Sequence, residues 1–355
     1  MPTADKGGPE SRWPAIFVVA AIVIVLAGVH AAASLVIPIA ISFIVTVLTA
    51  PLEHRLVRAG WHRIAAFTAV VAVTLVSLAA IYWIVDLSLT AFVADLPSYR
   101  AGGVQLLTDV LDFGKMIHVN LTRVVHAGSV VGSAFVEADA LTRAFLSSIA
   151  GWVVVLVLTA FMLFEALDFP DKARDVFGDG DQYRRVVAFT TDLSGFMIIA
   201  TLAAALTAAG DLAVLLALGI PSALLWSALA FILSYVPSIG SIIIVIPPTI
   251  ATLVRFGPGR AVLVFVLMLV VDNVVGVIVV PYLLGRRLSV APFWGMLALV
   301  FWAWLLGPAG AILAIPFMLL AKFLLESSPL TARIAKLLAP LVRTPKQPQI
   351  NSWRR

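Results

Sequence analysis

Long apolar runs recur along this chain, at 14–33, 34–50, 64–85, 147–167, 193–219, 221–254, 261–284 and 292–325. A helix needs about 20 such residues to cross a hydrocarbon core about 30 Å thick. Backbone polar groups at that depth find no water and must be satisfied within the chain. The runs therefore predict an all-α polytopic membrane protein. Composition agrees, since 62% of the residues are hydrophobic and 12% charged, against about 25% charged in a soluble domain.

The same composition excludes several functions. Cysteine is absent, which removes disulfides, thiolate metal sites and cysteine nucleophiles. The net charge of +5 sits beside apolar spans, where it sets membrane orientation, so nucleic acid is not an expected partner and the lipid bilayer is. His30, His54, His62, His118 and His126 form no zinc-protease spacing, and neither a G-x-S-x-G motif nor a phosphate loop occurs. No catalytic residue, no metal site and no enzymatic activity are expected.

The chain divides into a cytoplasmic N-terminus (1–13), N-terminal membrane spans (14–85), an extracytoplasmic amphipathic helical segment (86–146), a membrane span with a cytoplasmic loop (147–192), a core (193–325) and a basic cytoplasmic tail (326–355). Arg12, the run 16–29 and the alanines at 31–33 also have the shape of a signal peptide. The second apolar run follows almost at once, which favours an uncleaved first span. In 86–146, Val104, Leu107 and Leu111 recur at helical spacing, as do Val136, Ala140 and Ala144. The tail aligns Leu330, Ile334, Leu337, Leu338 and Leu341 beside Arg333, Lys336 and Arg343. That pattern fits a basic amphipathic helix on the inner leaflet or a cytoplasmic packing helix. With both termini inside, most of the 24 Lys and Arg residues fall on the inner side, as the positive-inside rule requires.

Two runs have an awkward length. Residues 221–254 and 292–325 each number about 34, which as one straight helix would reach about 51 Å. Each carries turn chemistry near its middle: Pro237-Ser238-Ile239-Gly240 in the first, Gly307-Pro308-Ala309-Gly310 in the second, with Pro247 and Pro316 further on. Each follows a long apolar helix bearing a single aspartate, Asp211 or Asp272. The predicted unit is a long helix plus a re-entrant broken hairpin, occurring twice. One crossing plus one returning hairpin is an odd number of crossings, so the second copy starts from the opposite side. That is an inverted repeat, an architecture of secondary transporters. The other reading makes each run one kinked, tilted span, and the Lys and Arg distribution does not separate the two.

The segments "YVPSIGSIIIVIPP", "VVDN", "PYLLGRRLSVAP" and "LLGPAGAILAIPF" in this order resemble the autoinducer-2 exporter (AI-2E) family, most strongly over 221–320. The resemblance implies a secondary transporter of a bacterial inner membrane. The family is named for export of autoinducer-2, and other members are associated with sodium or lithium/proton antiport. It further implies a homopentamer and elevator-like movement.

The candidate binding or coupling residues are Asp272, Asn273, Asp211, Ser238, Gly240 and Ser241. A charged Asp at a helix centre costs about 2.5–3.5 kcal/mol on insertion scales, so Asp272 and Asp211 are expected to relay a proton or cation or, failing that, to tie helices together by hydrogen bonds. Asn273 is the expected hydrogen-bonding neighbour of Asp272. The hydroxyls of Ser238 and Ser241 and the freed backbone at Gly240 would meet an ion or polar solute, or else serve a tight turn. Pro237, Gly307, Pro308 and Gly310 are expected to shape the tips. Glu165 and Asp168 read as interfacial, and Arg286 and Arg287 as positive-inside anchors. No cofactor is expected beyond a coupling proton or sodium ion. The reading is alternating-access transport of a small solute or ion, by a homo-oligomer if the resemblance holds. The alternative is a membrane scaffold or envelope-stress component that uses 86–146 as a partner surface.

Overall fold

The computed structural model describes residues 13–116, 149–236, 240–284 and 292–327. Among these every regular element is helical: α1 (Trp13–Ala31), α2 (Ala33–Arg58), α3 (Arg63–Met116), α4 (Ile149–Ala166), α5 (Phe169–Phe177), α6 (Asp181–Ala217), α7 (Ala223–Leu233), α8 (Gly240–Phe256), α9 (Pro258–Asn273) continued by a π-helical turn (Val274–Val279) and α10 (Val280–Leu284), and α11 (Pro292–Ser327). Five helices are long and apolar enough to cross a membrane, or six if α4 and α5, bent by 59° at their junction, count as one span. The chain is a multi-pass membrane protein.

Two elements run past the boundaries drawn on the sequence. α3 continues through residue 85 to Met116, across Pro97 and Gly102-Gly103, a helical path of about 81 Å. α6 begins at Asp181 rather than at the first apolar residue near 193. The second pair of amphipathic stripes in 86–146 and the tail beyond 327 lie outside the described residues.

The helix ends follow local chemistry. At the end of α6, Gly219 takes φ +65°. Its N–H bonds the Leu216 carbonyl, and Ile220 N–H reaches back to Leu215. This is the Schellman arrangement, and it satisfies two carbonyls that the helix leaves open. Ile220 and Leu215 then pack in one buried cluster, which aims the chain back along α6. Gly60, at φ +92°, closes α2 in the same way, with Trp61 N–H on the Leu56 carbonyl.

Both awkward runs fold back on themselves. α11 is broken at Gly307, whose φ of 67° and ψ of −152° are not helical. The Trp302 and Phe317 rings lie 4.3 Å apart between centroids, whereas a straight helix would separate them by about 22 Å. Leu299 and Ala314 share one cluster. In the first run, Trp226 and Ala230 of α7 pack with Ile244 and Val245 of α8. The reading as single kinked spans is thereby set aside. At each break a glycine lets the arms close: a Cβ on Gly240 would collide with the Leu233 carbonyl oxygen, and one on Gly310 with that of Trp302.

The hairpins approach from opposite ends of α6. The first starts just beyond the α6 C-terminus and returns, so that the Tyr235 hydroxyl donates to Thr201 Oγ1 at 2.8 Å, about 24 Å back along α6. The second has its base at the α6 N-terminal end, where Phe323 stacks on Phe189 at 4.6 Å and Arg185 donates to the Glu326 carbonyl at 2.6 Å. They meet where Val236 packs on Leu299 and Ala314. α1 braces the second hairpin: His30 Nδ1 donates to the Leu305 carbonyl at 2.6 Å, and the His30 ring stacks on Trp304. Leu305 precedes the break, so its carbonyl belongs to the helix end that lacks intrahelical partners.

Gly240→Ala and Gly310→Ala are each expected to destabilise the purified protein by about 1–3 kcal/mol, the usual cost of overpacking. Thermal unfolding followed by tryptophan fluorescence measures this. Gly259→Ala, at a position with open space around it, serves as the neutral control.

Candidate functional site

The two aspartates come together where α6 crosses α9. Gly210 is the point of approach, since a Cβ there would lie 2.6 Å from a methyl of Val271. Asp211 follows Gly210 and Asp272 follows Val271, so the crossing places both aspartates beside one contact. One turn away on each helix, Leu215 and Met268 are fully buried in a shared apolar cluster. The carboxylates therefore sit at the edge of a dry core.

Asp211 is 0% exposed, and neither of its carboxylate oxygens has a hydrogen-bond partner among the described residues. Asp272 is half-buried, and its Oδ2 is likewise without a partner there. A structural role would tie these oxygens to a donor, because buried polar groups are almost always hydrogen-bonded. Among the described residues no donor ties Asp211 or the Asp272 Oδ2 in this way.

Asn273 does not join them. Its side chain is exposed and donates to the Leu269 carbonyl at 2.7 Å, one turn back on its own helix, because the helical rotation of about 100° per residue carries it off the face that Asp272 occupies. The expectation that it hydrogen-bonds Asp272 is corrected.

The end of the first arm is anchored away from the carboxylates. Tyr235, at the end of the first arm, is tied to Thr201, and Asp211 lies ten residues further along α6, about 15 Å in helix rise. Gly240 is buried where the arms touch. Pro237 and Ser238 fall outside the described residues, and Ser241 is placed at the start of α8 by its backbone. Gly307 carries the positive φ, Pro308 opens the second arm as an exposed residue, and Gly310 seals the arms. All three are thus in positions that shape the tip.

Sequence reasoning missed the π-helical turn at Val274–Val279, directly after Asp272 and Asn273. Such turns are rare and gather at functional sites. The local sequence VVGVIV carries only a crowd of β-branched residues and a glycine as a hint. It also missed Glu53, which is 0% exposed near the end of α2. Its neighbours Arg55 and Arg58 give that segment the composition of a solvated stretch, which hides a buried carboxylate.

Replacing Gly210 by Val is expected to push α6 and α9 apart and to lower the unfolding temperature. Adding Val271→Ala should restore much of the loss, since the clash is with the Val271 side chain itself. A double-mutant cycle of unfolding temperatures checks this, and additive losses would contradict the contact.

The model of the family described as AI-2E family transporter matches residues 17–329. A putative transport protein of Escherichia coli K12, YhhT, is 30% identical over 343 residues, covering 96% of this chain and 97% of that one. The AI-2 transport protein TqsA of the same organism is 29% identical over 325 residues, covering 90% and 94%. A putative transport protein of Haemophilus influenzae is 30% identical over 331 residues, covering 90% and 94%. The family match spans both hairpins and both aspartate-bearing helices, and the chain is a membrane transport protein that belongs to the AI-2E transporter family.

Proposed function

We propose that this chain is a secondary active transporter that moves a small polar solute or cation by alternating access, coupled to a proton or sodium ion through Asp211 and Asp272. The observation that carries this reading is Asp211, fully buried within the apolar stretch of α6 with both oxygens unpartnered among the described residues. A carboxylate in that position is costly, and within membrane helices such groups mark ion and proton pathways.

The two hairpins support the transport geometry. They approach from opposite ends of α6 and touch at Val236, Leu299 and Ala314, as expected if α6 with the first hairpin and α9–α10 with the second form an inverted repeat. In an elevator-like step the two hairpins would move together with α6 and α9, while α2 and α4 stay fixed to one another. Ser42, buried between that pair, bonds the Val155 carbonyl at 3.0 Å. Gly240, Ser238 and Ser241 at the first tip would meet the solute. The name of the relative TqsA, an AI-2 transport protein, makes a small signalling solute the first substrate class to test. We place the protein in a bacterial inner membrane, with both termini cytoplasmic, as a homo-oligomer.

The test is flux in proteoliposomes, read with an entrapped pH dye while a sodium gradient is imposed. Wild-type protein is expected to move protons above the protein-free background. Asp211→Asn and Asp272→Asn should each lower that flux at least about tenfold, or about 1.4 kcal/mol in the transport barrier. Flux that keeps its size and pH dependence in both variants overturns the coupling role, as does a wild-type signal no larger than background.

A further inference from the structure

A second polar site lies far from Asp211 in the fold, where α2, α3 and the α4–α5 junction converge. A cavity of about 320 Å³ opens there between Glu53, Arg63, Phe67, Phe164 and Asp168, with Ile64 and Leu167 at its edges. Glu53 is 0% exposed, and both of its oxygens lack hydrogen-bond partners among the described residues. An uncompensated buried carboxylate is expensive and calls for a counter-charge.

The cation beside it is already engaged. Arg63 donates Nη1 to Asp168 Oδ1 at 2.8 Å and Nη2 to Asp168 Oδ2 at 2.6 Å, a two-pronged pair that uses the guanidinium fork. Its Nη2 also leans on the Phe164 carbonyl at 3.5 Å, and its guanidinium lies over the Phe164 ring. Arg63 attracts Glu53 from nearby but spends both prongs of its guanidinium on Asp168, which leaves the Glu53 carboxylate without a bonded counter-ion.

We propose that this cavity binds the ammonium group of a small organic amine, with Glu53 as its counter-ion. The walls choose between kinds of cation. Phe67 and Phe164 stand edge to face at 5.6 Å, so the cavity offers aromatic surface, which attracts an ammonium group and shelters an apolar body. A hard metal ion takes six or more oxygen ligands. Of the carboxylates lining this cavity only that of Glu53 is free, since Asp168 is held by Arg63. Two sources share the ammonium chemistry, a free amine and the headgroup of phosphatidylethanolamine. Ile64 and Phe164 are exposed, so the mouth is open to either. The site does not depend on the transport reading, because it uses none of the elements that carry Asp211, Asp272 or the hairpins.

The experiment uses the full-length protein in a neutral detergent at pH 8, with 2-phenylethylammonium as probe and uncharged 2-phenylethanol as its control. Calorimetric titration and thermal unfolding should show the amine binding and raising the unfolding temperature, and the alcohol doing neither. Glu53→Gln is expected to weaken amine binding at least about tenfold. Should that variant fail to fold, Ile64→Trp, which fills the mouth from an exposed position, should remove binding while leaving the ligand-free unfolding temperature unchanged. Equal responses to amine and alcohol, or amine binding retained in the folded variants, overturn the proposal. So does displacement of the amine by millimolar sodium at constant ionic strength, which would make the cavity a metal-ion site. In nanodiscs, weaker amine binding with phosphatidylethanolamine than with phosphatidylcholine identifies the lipid headgroup as the occupant. Equal binding in the two lipids identifies a free amine.

Discussion

Everything in this architecture turns on where a helix can be broken inside a bilayer. A break exposes carbonyl and N–H groups that lipid cannot satisfy, so each one must be covered by protein. The two hairpins meet that demand by closing their arms so tightly that Gly240 and Gly310 leave no room for a Cβ. Covering the breaks then dictates the neighbours. The imidazole of His30 caps the Leu305 carbonyl from α1, and the Tyr235 hydroxyl fastens the first hairpin to Thr201 on α6. The bundle is arranged around these two closures.

The polar chemistry sits apart from the anchor of the first hairpin. Asp211 and Asp272 flank the Gly210–Val271 crossing, about 15 Å of helix rise from Thr201, which holds Tyr235. On the other side, toward the base of that hairpin, lies an apolar cluster with Leu215 of α6, Met268 of α9 and Trp226, Ala230 and Ile244 of the hairpin. The π-helical turn begins directly after Asp272 and Asn273, at the same crossing.

Much of this was legible before any coordinates. The length of the runs at 221–254 and 292–325, their central Pro and Gly residues and their shared spacing predicted broken hairpins. The isolated aspartates stood out because nothing else in the apolar runs 193–219 and 261–284 is charged. Glu53 did not stand out, since a carboxylate among arginines near the end of a span reads as solvated. Only the packing of α2, α3 and the α4–α5 junction removes it from water. Asn273 misled for the opposite reason, because adjacency in sequence is not adjacency on a helix face.

The sequence by itself determined the class of protein, the two places where helix fails and the charges that are out of place. These follow from local rules: the apolar length a bilayer demands, the backbone limits of proline and glycine, and the cost of a carboxylate in lipid. The tertiary structure alone decided which of those features meet. It brought Asp211 and Asp272 to one helix crossing and left Asn273 outside, anchored the first hairpin to Thr201, and buried Glu53 beside an arginine already committed to Asp168. The physical reason is that contacts between helices depend on crossing points and rotations, and single steric details such as the missing Cβ of Gly210 set them at a distance no local pattern encodes.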